Sequence, residues 1–97
     1  MSAIIHFTII PLDKGESLSP YVARVVHIVK NSGLPYRIGP MGTDIEGDYA
    51  ETMTVVTRCF EELQKDCGRI SMSIKVDYRK DRSDRMQSKV TSVGGPA

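Results

Sequence analysis

The residue types that most often do chemistry are few in this chain and stand far apart. Its two histidines, His6 and His27, fall on different predicted elements, and neither has a cysteine or carboxylate at metal-ligand spacing. Cys59 lies on the apolar side of a predicted helix with no histidine near it in the sequence, which is typical of a buried structural thiol. The pattern therefore predicts neither a metal site nor a catalytic residue.

The glycines indicate turns and not a phosphate-binding loop. Gly39, Gly42, Gly47 and Gly68 separate predicted elements, and neither G-x-G-x-x-G nor G-x-x-x-x-G-K-[S/T] occurs. The residues thus give no support for nucleotide chemistry.

Length, charge and cysteine usage limit the class of protein. The chain has 97 residues, 13 Lys and Arg against 12 Asp and Glu, and 40% hydrophobic residues. One domain over 1–97 is expected at this length, and a net charge of +1 argues against nucleic acid or a membrane as a partner. Cys59 and Cys67 are too far apart on one predicted helix for a disulfide. With no signal peptide or membrane span predicted, we expect a cytoplasmic protein.

Hydrophobic periodicity predicts the order β-α-β-β-α-β followed by a short helix. Alternating or β-branched segments predict the strands, and apolar residues at helical spacing predict the helices. The predicted ranges are strand 3–10, helix 19–30, strands 34–39 and 43–47, helix 48–67 and strand 69–78 within a core over 1–82, then a helix over 83–93 and a tail over 94–97.

Start signals accompany the first two predicted helices. Ser19 followed by Pro20 predicts an N-cap and a first helical residue. Asp48 with Glu51 three residues later predicts a second N-cap with a capping box.

This order of elements predicts an α+β, ferredoxin-like fold with an antiparallel sheet in the order 4-1-3-2 and two helices on one face. Other proteins of this shape use residues that this chain lacks. RNA-binding modules need aromatic residues on the outer face of the central strands, copper chaperones need C-x-x-C, and acylphosphatases need an arginine after the first strand. Catalysis therefore stays unsupported.

The sheet face opposite the helices combines charged, hydroxyl and large aliphatic side chains. If Ile5, Phe7 and Ile9 point toward the helices, Ile4 and Ile10 point away from them. The outward set also includes His6, Thr8, Arg37, Asp44, Glu46, Ser71, Ser73, Lys75 and Asp77. Since Ile4 and Ile10 would otherwise both face water on this surface, we expect it to stack on a second copy of the chain.

Five segments together resemble the family of thiamine-binding proteins. They are FTIIP at 7–11, SLSPYV at 17–22, GLPY at 33–36, PMGTDIEG at 40–47 and IKVDYR at 74–79. The resemblance implies a ferredoxin-like fold, assembly into homodimers or homotetramers through the sheet faces, and non-catalytic binding of thiamine or its hydroxymethylpyrimidine part. No metal and no cofactor besides that ligand is expected.

If thiamine is the ligand, its aminopyrimidine needs a carboxylate or carbonyl for the amino group, a donor for a ring nitrogen and a flat apolar contact. Glu46 is the predicted carboxylate, with pairing to Lys75 or Arg37 across the sheet as the alternative. Thr43 is a predicted ring contact and Met41 a predicted wall. The other predicted ligand residues are Ser17 and Ser19 at the first helix, Tyr21, His6, Thr8 and Asp77, although capping also explains Ser19 and core packing also explains Tyr21.

Two further hypotheses stay open at this point. The chain could form a structural or regulatory homo-oligomer without any small ligand, in which case the sheet faces serve only assembly. It could also be a small enzyme of thiamine metabolism.

Overall fold

The fold is a four-stranded antiparallel sheet with two helices on one face and a short third helix. A computed structural model describes residues 2–81 and 85–93. Its elements are β1 (Ser2–Pro11), α1 (Ser19–Lys30), β2 (Tyr36–Gly39), β3 (Gly42–Gly47), α2 (Tyr49–Gln64), β4 (Ile70–Arg79) and α3 (Arg85–Ser92). The strand order β2-β3-β1-β4 confirms the predicted fold and sheet topology. The predicted helix start at Ser83 and the tail over 94–97 lie outside the described residues.

Alternation along β1 separates the core from the opposite face. Ile5, Phe7 and Ile9 are buried on the side of α1 and α2. They pack with residues of both helices and β3, chiefly Val25, Val29, Ile45, Val56, Cys59 and Leu63. Burial raises the pKa of the Cys59 thiol to about 12, so this cysteine is an unreactive part of the core.

The starts of the two long helices differ in detail from the prediction. At α1 the N-cap is Leu18, whose carbonyl oxygen accepts the N–H groups of Tyr21 and Val22, so Ser19 makes no capping bond. At α2 the N-cap is Asp48 as predicted, but its side chain makes no capping bond either. Thr52 donates its N–H and its hydroxyl to the backbone carbonyl of Asp48 instead.

The edge strand β4 leaves a row of apolar side chains half exposed. Met72, Ile74 and Val76 pair with Ile9, Phe7 and Ile5, so they lie on the predicted helix side of the sheet. Their exposed fractions are nevertheless 36%, 39% and 41%, because α1 and α2 lie over β1 and β3 and reach β4 only marginally. The helices therefore cover the centre of the sheet and leave this edge partly open.

Candidate functional site

One row of polar side chains crosses the sheet on the face opposite α1 and α2, which we call the open face. Arg37 on β2 pairs with Asp44 on β3, Asp44 pairs with His6 on β1, and His6 pairs with Lys75 on β4. Directly paired residues of antiparallel strands point to the same face. These four side chains, the polar row, are therefore brought side by side from four strands.

A hydrogen bond at the centre of the polar row fixes one histidine. The Nδ1 atom of His6 lies 2.8 Å from Oδ1 of Asp44. Because a carboxylate only accepts hydrogen bonds, Nδ1 must carry the proton. The second carboxylate oxygen of Asp44 has no partner among the described residues and can accept a bond from a ligand.

The His6 ring comes so close to the backbone at Gly42, beside the polar row, that no side chain fits at this position. A Cβ atom at residue 42 would lie 2.6 Å from both Cε1 and Nε2 of His6 and 3.0 Å from Cγ2 of Thr8. The glycine of the PMGT segment therefore leaves room for the imidazole that Asp44 holds.

We expect Gly42→Ala to push the His6 ring away from Asp44 and to lower the free energy of unfolding by about 1–3 kcal/mol, as overpacking does. Denaturant unfolding measures the loss. The same substitution made together with His6→Ala should cost much less, because the clashing ring is gone. An equal cost in both backgrounds would contradict the assigned contact.

The helix α3 closes one end of the open face and is attached there by Glu46. The Glu46 carboxylate accepts the N–H groups of Arg85 at 2.6 Å and of Met86 at 3.2 Å, and the residue is only 4% exposed. The carboxylate thus satisfies the first N–H groups of α3 at the positive end of its helix dipole.

This position corrects the predicted alternatives for Glu46. It pairs with neither Lys75 nor Arg37, whose guanidinium donates to Gln87 of α3. A ligand that displaced Arg85 or Met86 from the carboxylate would break a bond that holds α3.

Arg85 and Lys89 attach the same helix to the central strand β1 and the edge strand β4. The Arg85 guanidinium is buried, donates to the backbone carbonyls of Ser2 and Asp77, and lies 2.8 Å from the Asp77 carboxylate. Lys89 donates to the other carboxylate oxygen of Asp77 at 2.5 Å. The Lys89 ammonium and then the Arg85 guanidinium hold the pKa of Asp77 below its ordinary value, so Asp77 is ionised and paired at neutral pH.

A cleft of about 520 Å³ lies between the polar row and α3. Its lining combines the polar row with apolar and charged side chains of β1, β4 and α3. The lining residues are Ile4, His6, Arg37, Asp44, Lys75, Val76, Asp77, Met86, Lys89 and Val90. This open-face cleft is therefore apolar toward α3 and polar along the sheet, as is usual for a site that binds a small flat ligand.

The structure divides the predicted ligand residues among different places. His6 and Asp77 line the open-face cleft. Thr8, Thr43 and the highly exposed Met41 line a second cleft of about 350 Å³ between α1 and the β2–β3 turn.

The predicted residues around the first helix belong to neither cleft. Ser17 and Ser19 are exposed, while Tyr21 packs against the core with the Arg24 guanidinium 5.7 Å from its ring centre. The structure thus gives Tyr21 the alternative role of core packing.

Sequence reasoning assigned no ligand role to Arg37, Asp44 or Lys75, or to the residues of α3 that line the open-face cleft. The three strand residues could have been found, because the predicted register already placed them on the outer face beside His6. Nothing in the sequence indicated that residues of α3 line the cleft, because the spacing of apolar residues along a terminal helix does not show where that helix docks.

Two kinds of site find no candidate in the part of the chain that the structure describes. No three His, Cys, Asp or Glu side chains over residues 2–81 and 85–93 come together in a way that could hold a metal ion. None of the helices in the same ranges has the length and apolar character needed to cross a membrane.

Comparison with known proteins identifies relatives over nearly the whole chain. The sequence model of a family described as "Thiamine-binding protein" matches residues 5–94. The UPF0045 protein Mb1933 of Mycobacterium bovis is 40% identical over 94 residues, which cover 96% of this chain and 92% of that protein.

Solved structures share the fold. The crystal structure of the hypothetical protein MJ1052 of Methanocaldococcus jannaschii superposes with a TM-score of 0.88 at 31% identity and covers 96% of both chains. A Thermotoga maritima protein, described as a candidate for thiamine biosynthesis or salvage, superposes with a TM-score of 0.85 at 20% identity. It covers 96% of this chain and 99% of its own, and at that identity the likeness concerns the fold alone.

Proposed function

Because the chain belongs to the family of thiamine-binding proteins, we propose that it binds thiamine or its hydroxymethylpyrimidine part in the open-face cleft, without chemical change. The family is named for binding and not for a reaction. The observation that carries this proposal is the neighbouring pair Arg37 and Asp44 in the polar row.

The pair offers a donor beside an acceptor, as an aminopyrimidine requires. The unpartnered carboxylate oxygen of Asp44 can accept a bond from the exocyclic amino group, and Arg37 keeps N–H groups besides the one donated to Gln87 for the adjacent ring nitrogen. Met86, Val90 and Ile4 provide apolar surface for the ring on the side of α3. Such a pairing is specific, because an analogue without the amino group leaves the Asp44 oxygen unpaired.

A thermal-shift panel of thiamine, its phosphates, hydroxymethylpyrimidine and unrelated pyrimidines tests the proposal. A ligand present at about 100 times its Kd should stabilise the protein by roughly 2.7 kcal/mol. We expect a shift with the aminopyrimidine compounds and none with pyrimidines that lack the amino group. A flat response to the whole panel favours the assembly-only hypothesis, and turnover seen by mass spectrometry favours an enzyme.

We further propose that the chain forms a homodimer or homotetramer and that the open face stacks on a second copy. Ile10 at one end of this face is 39% exposed, while Ile4 is partly covered near α3. The half-exposed Met72 and Ile74 on β4, which lie outside the open-face cleft, offer a second, separate apolar surface. Two independent surfaces are what a tetramer with two kinds of interface needs.

We expect Ile10→Glu to weaken this association, because the new carboxylate would have to be buried without a partner. Light scattering after size exclusion over a dilution series measures the change in mass. Val22→Glu is a matched control, since Val22 is 45% exposed on α1, in the opposite layer. A wild-type chain that is monomeric at all concentrations would rule out the proposed stacking.

A further inference from the structure

The polar lining of the open-face cleft carries more positive than negative charge. The cationic side chains Arg37, Lys75 and Lys89 line it together with the two carboxylates of Asp44 and Asp77. Three cations against two anions leave a net charge of +1. Thiamine is itself a cation through its thiazolium ring, and like charges in a partly desolvated cleft repel one another.

Several of these charged side chains are already paired, so the excess positive charge of the cleft is concentrated at one residue. Asp77 is already paired with both Arg85 and Lys89, and Asp44 already accepts a bond from His6. Arg37 donates to Gln87, which is neutral. Lys75 has no hydrogen bond or ion pair with any residue that the structure describes, so its ammonium is the available cation on the β4 side.

Building on the function proposed above, we propose that the cleft binds the phosphorylated form of its thiamine-type ligand and that Lys75 holds the phosphate. Asp44 and Lys75 are separated by two strand spacings, about 9.6 Å, since β1 lies between β3 and β4. This distance is comparable with the length of thiamine from its amino group to its hydroxyethyl oxygen. The aminopyrimidine can therefore lie over Arg37 and Asp44 while the phosphate reaches Lys75.

Charge balance supports the same orientation. A phosphate monoester carries about −1.5 to −2 charge at pH 7, which outweighs the thiazolium and makes the ligand complementary to the lining. Lys89, which bonds to Asp77 and also lines the cleft, adds positive potential beside Lys75. A phosphate at this place gains a charge-assisted hydrogen bond from Lys75.

Calorimetry with thiamine, thiamine phosphate, hydroxymethylpyrimidine phosphate and inorganic phosphate tests the inference. We expect thiamine phosphate to bind at least about tenfold more tightly than thiamine, as one charge-assisted bond provides. Hydroxymethylpyrimidine phosphate carries its phosphate next to the amino group, is too short to span Asp44 and Lys75, and should not show this gain. Lys75→Gln should remove this preference and should not weaken the binding of thiamine, because the substitution takes away a cation that repels the thiazolium ring. Lys30→Gln is the control, because it makes the same change of charge at the exposed end of α1.

The outcomes separate the two proposals. Equal affinity for thiamine and its phosphate, unaffected by Lys75→Gln, would overturn the phosphate inference and leave thiamine binding intact. Inorganic phosphate that binds as tightly as the esters would show that the pyrimidine contributes nothing and would contradict the proposed function. If none of the four compounds binds, the function and the inference resting on it are both wrong.

Discussion

Glu46→Gln is expected to loosen the attachment of α3 to the sheet and to weaken ligand binding at least about tenfold. The carboxylate accepts two backbone N–H groups of α3 from a buried position. Glutamine has one acceptor oxygen, so one N–H group loses its partner and the new amide group, itself a donor, faces it. Loss of one bond to a charged group costs about 1.5–3 kcal/mol, which corresponds to roughly 10- to 150-fold.

Hydrogen exchange separates this anchoring role from a direct ligand contact. In the variant, the amides of α3 should exchange at least about tenfold faster, while those of the central strand β1 stay protected. Affinity falls because Met86, Lys89 and Val90 no longer form a wall of the open-face cleft. A loss of affinity with unchanged exchange in α3 would instead support the direct contact predicted from the sequence.

Glu61→Gln is the matched control for this experiment. Glu61 is exposed on α2, in the layer on the other side of the sheet, and makes no hydrogen bond or ion pair with any described residue. It should change neither the exchange of α3 nor the affinity.

Asp44→Asn is expected to weaken binding of the aminopyrimidine by about 10- to 150-fold, because the amino group then meets a donor and not an acceptor. The asparagine oxygen can still accept the bond from His6, so the polar row should keep its arrangement. Stability should change little, since the Asp44 side chain is 39% exposed and its partner His6 is 43% exposed.

Calorimetry combined with thermal unfolding checks this expectation. Asp81→Asn, at an exposed position after β4, is the control for the loss of one negative charge. An unchanged affinity in Asp44→Asn would exclude Asp44 from the site. A large fall in Tm would mean that the carboxylate is needed for folding.

The two predictions concern Asp44 and Glu46, which lie two residues apart on β3. Glu46 anchors α3, whereas Asp44 is the proposed contact to the ligand. Asp44 and Glu46 both point to the open face. Glu46 lies beneath α3, whereas Asp44 belongs to the polar row, which lies beside that helix. Alternation along β3 tells which face a carboxylate occupies. It does not tell which carboxylate a distant helix covers, and this explains why the sequence pointed to Glu46 first.

The amino-acid sequence alone determined the order of elements, the ferredoxin-like topology and the inward face of β1, because those depend on local periodicity and on short right-handed connections. It also indicated the family, through segments such as PMGTDIEG.

Tertiary structure decided the rest. The half-exposed row on β4 depends on how far α1 and α2 extend over the sheet, and the closeness of the His6 ring to Gly42 depends on strand pairing. The open-face cleft exists because Glu46 and Arg85 dock α3 there. Contacts between residues some 40 positions apart depend on three-dimensional packing, which local spacing along the chain does not encode.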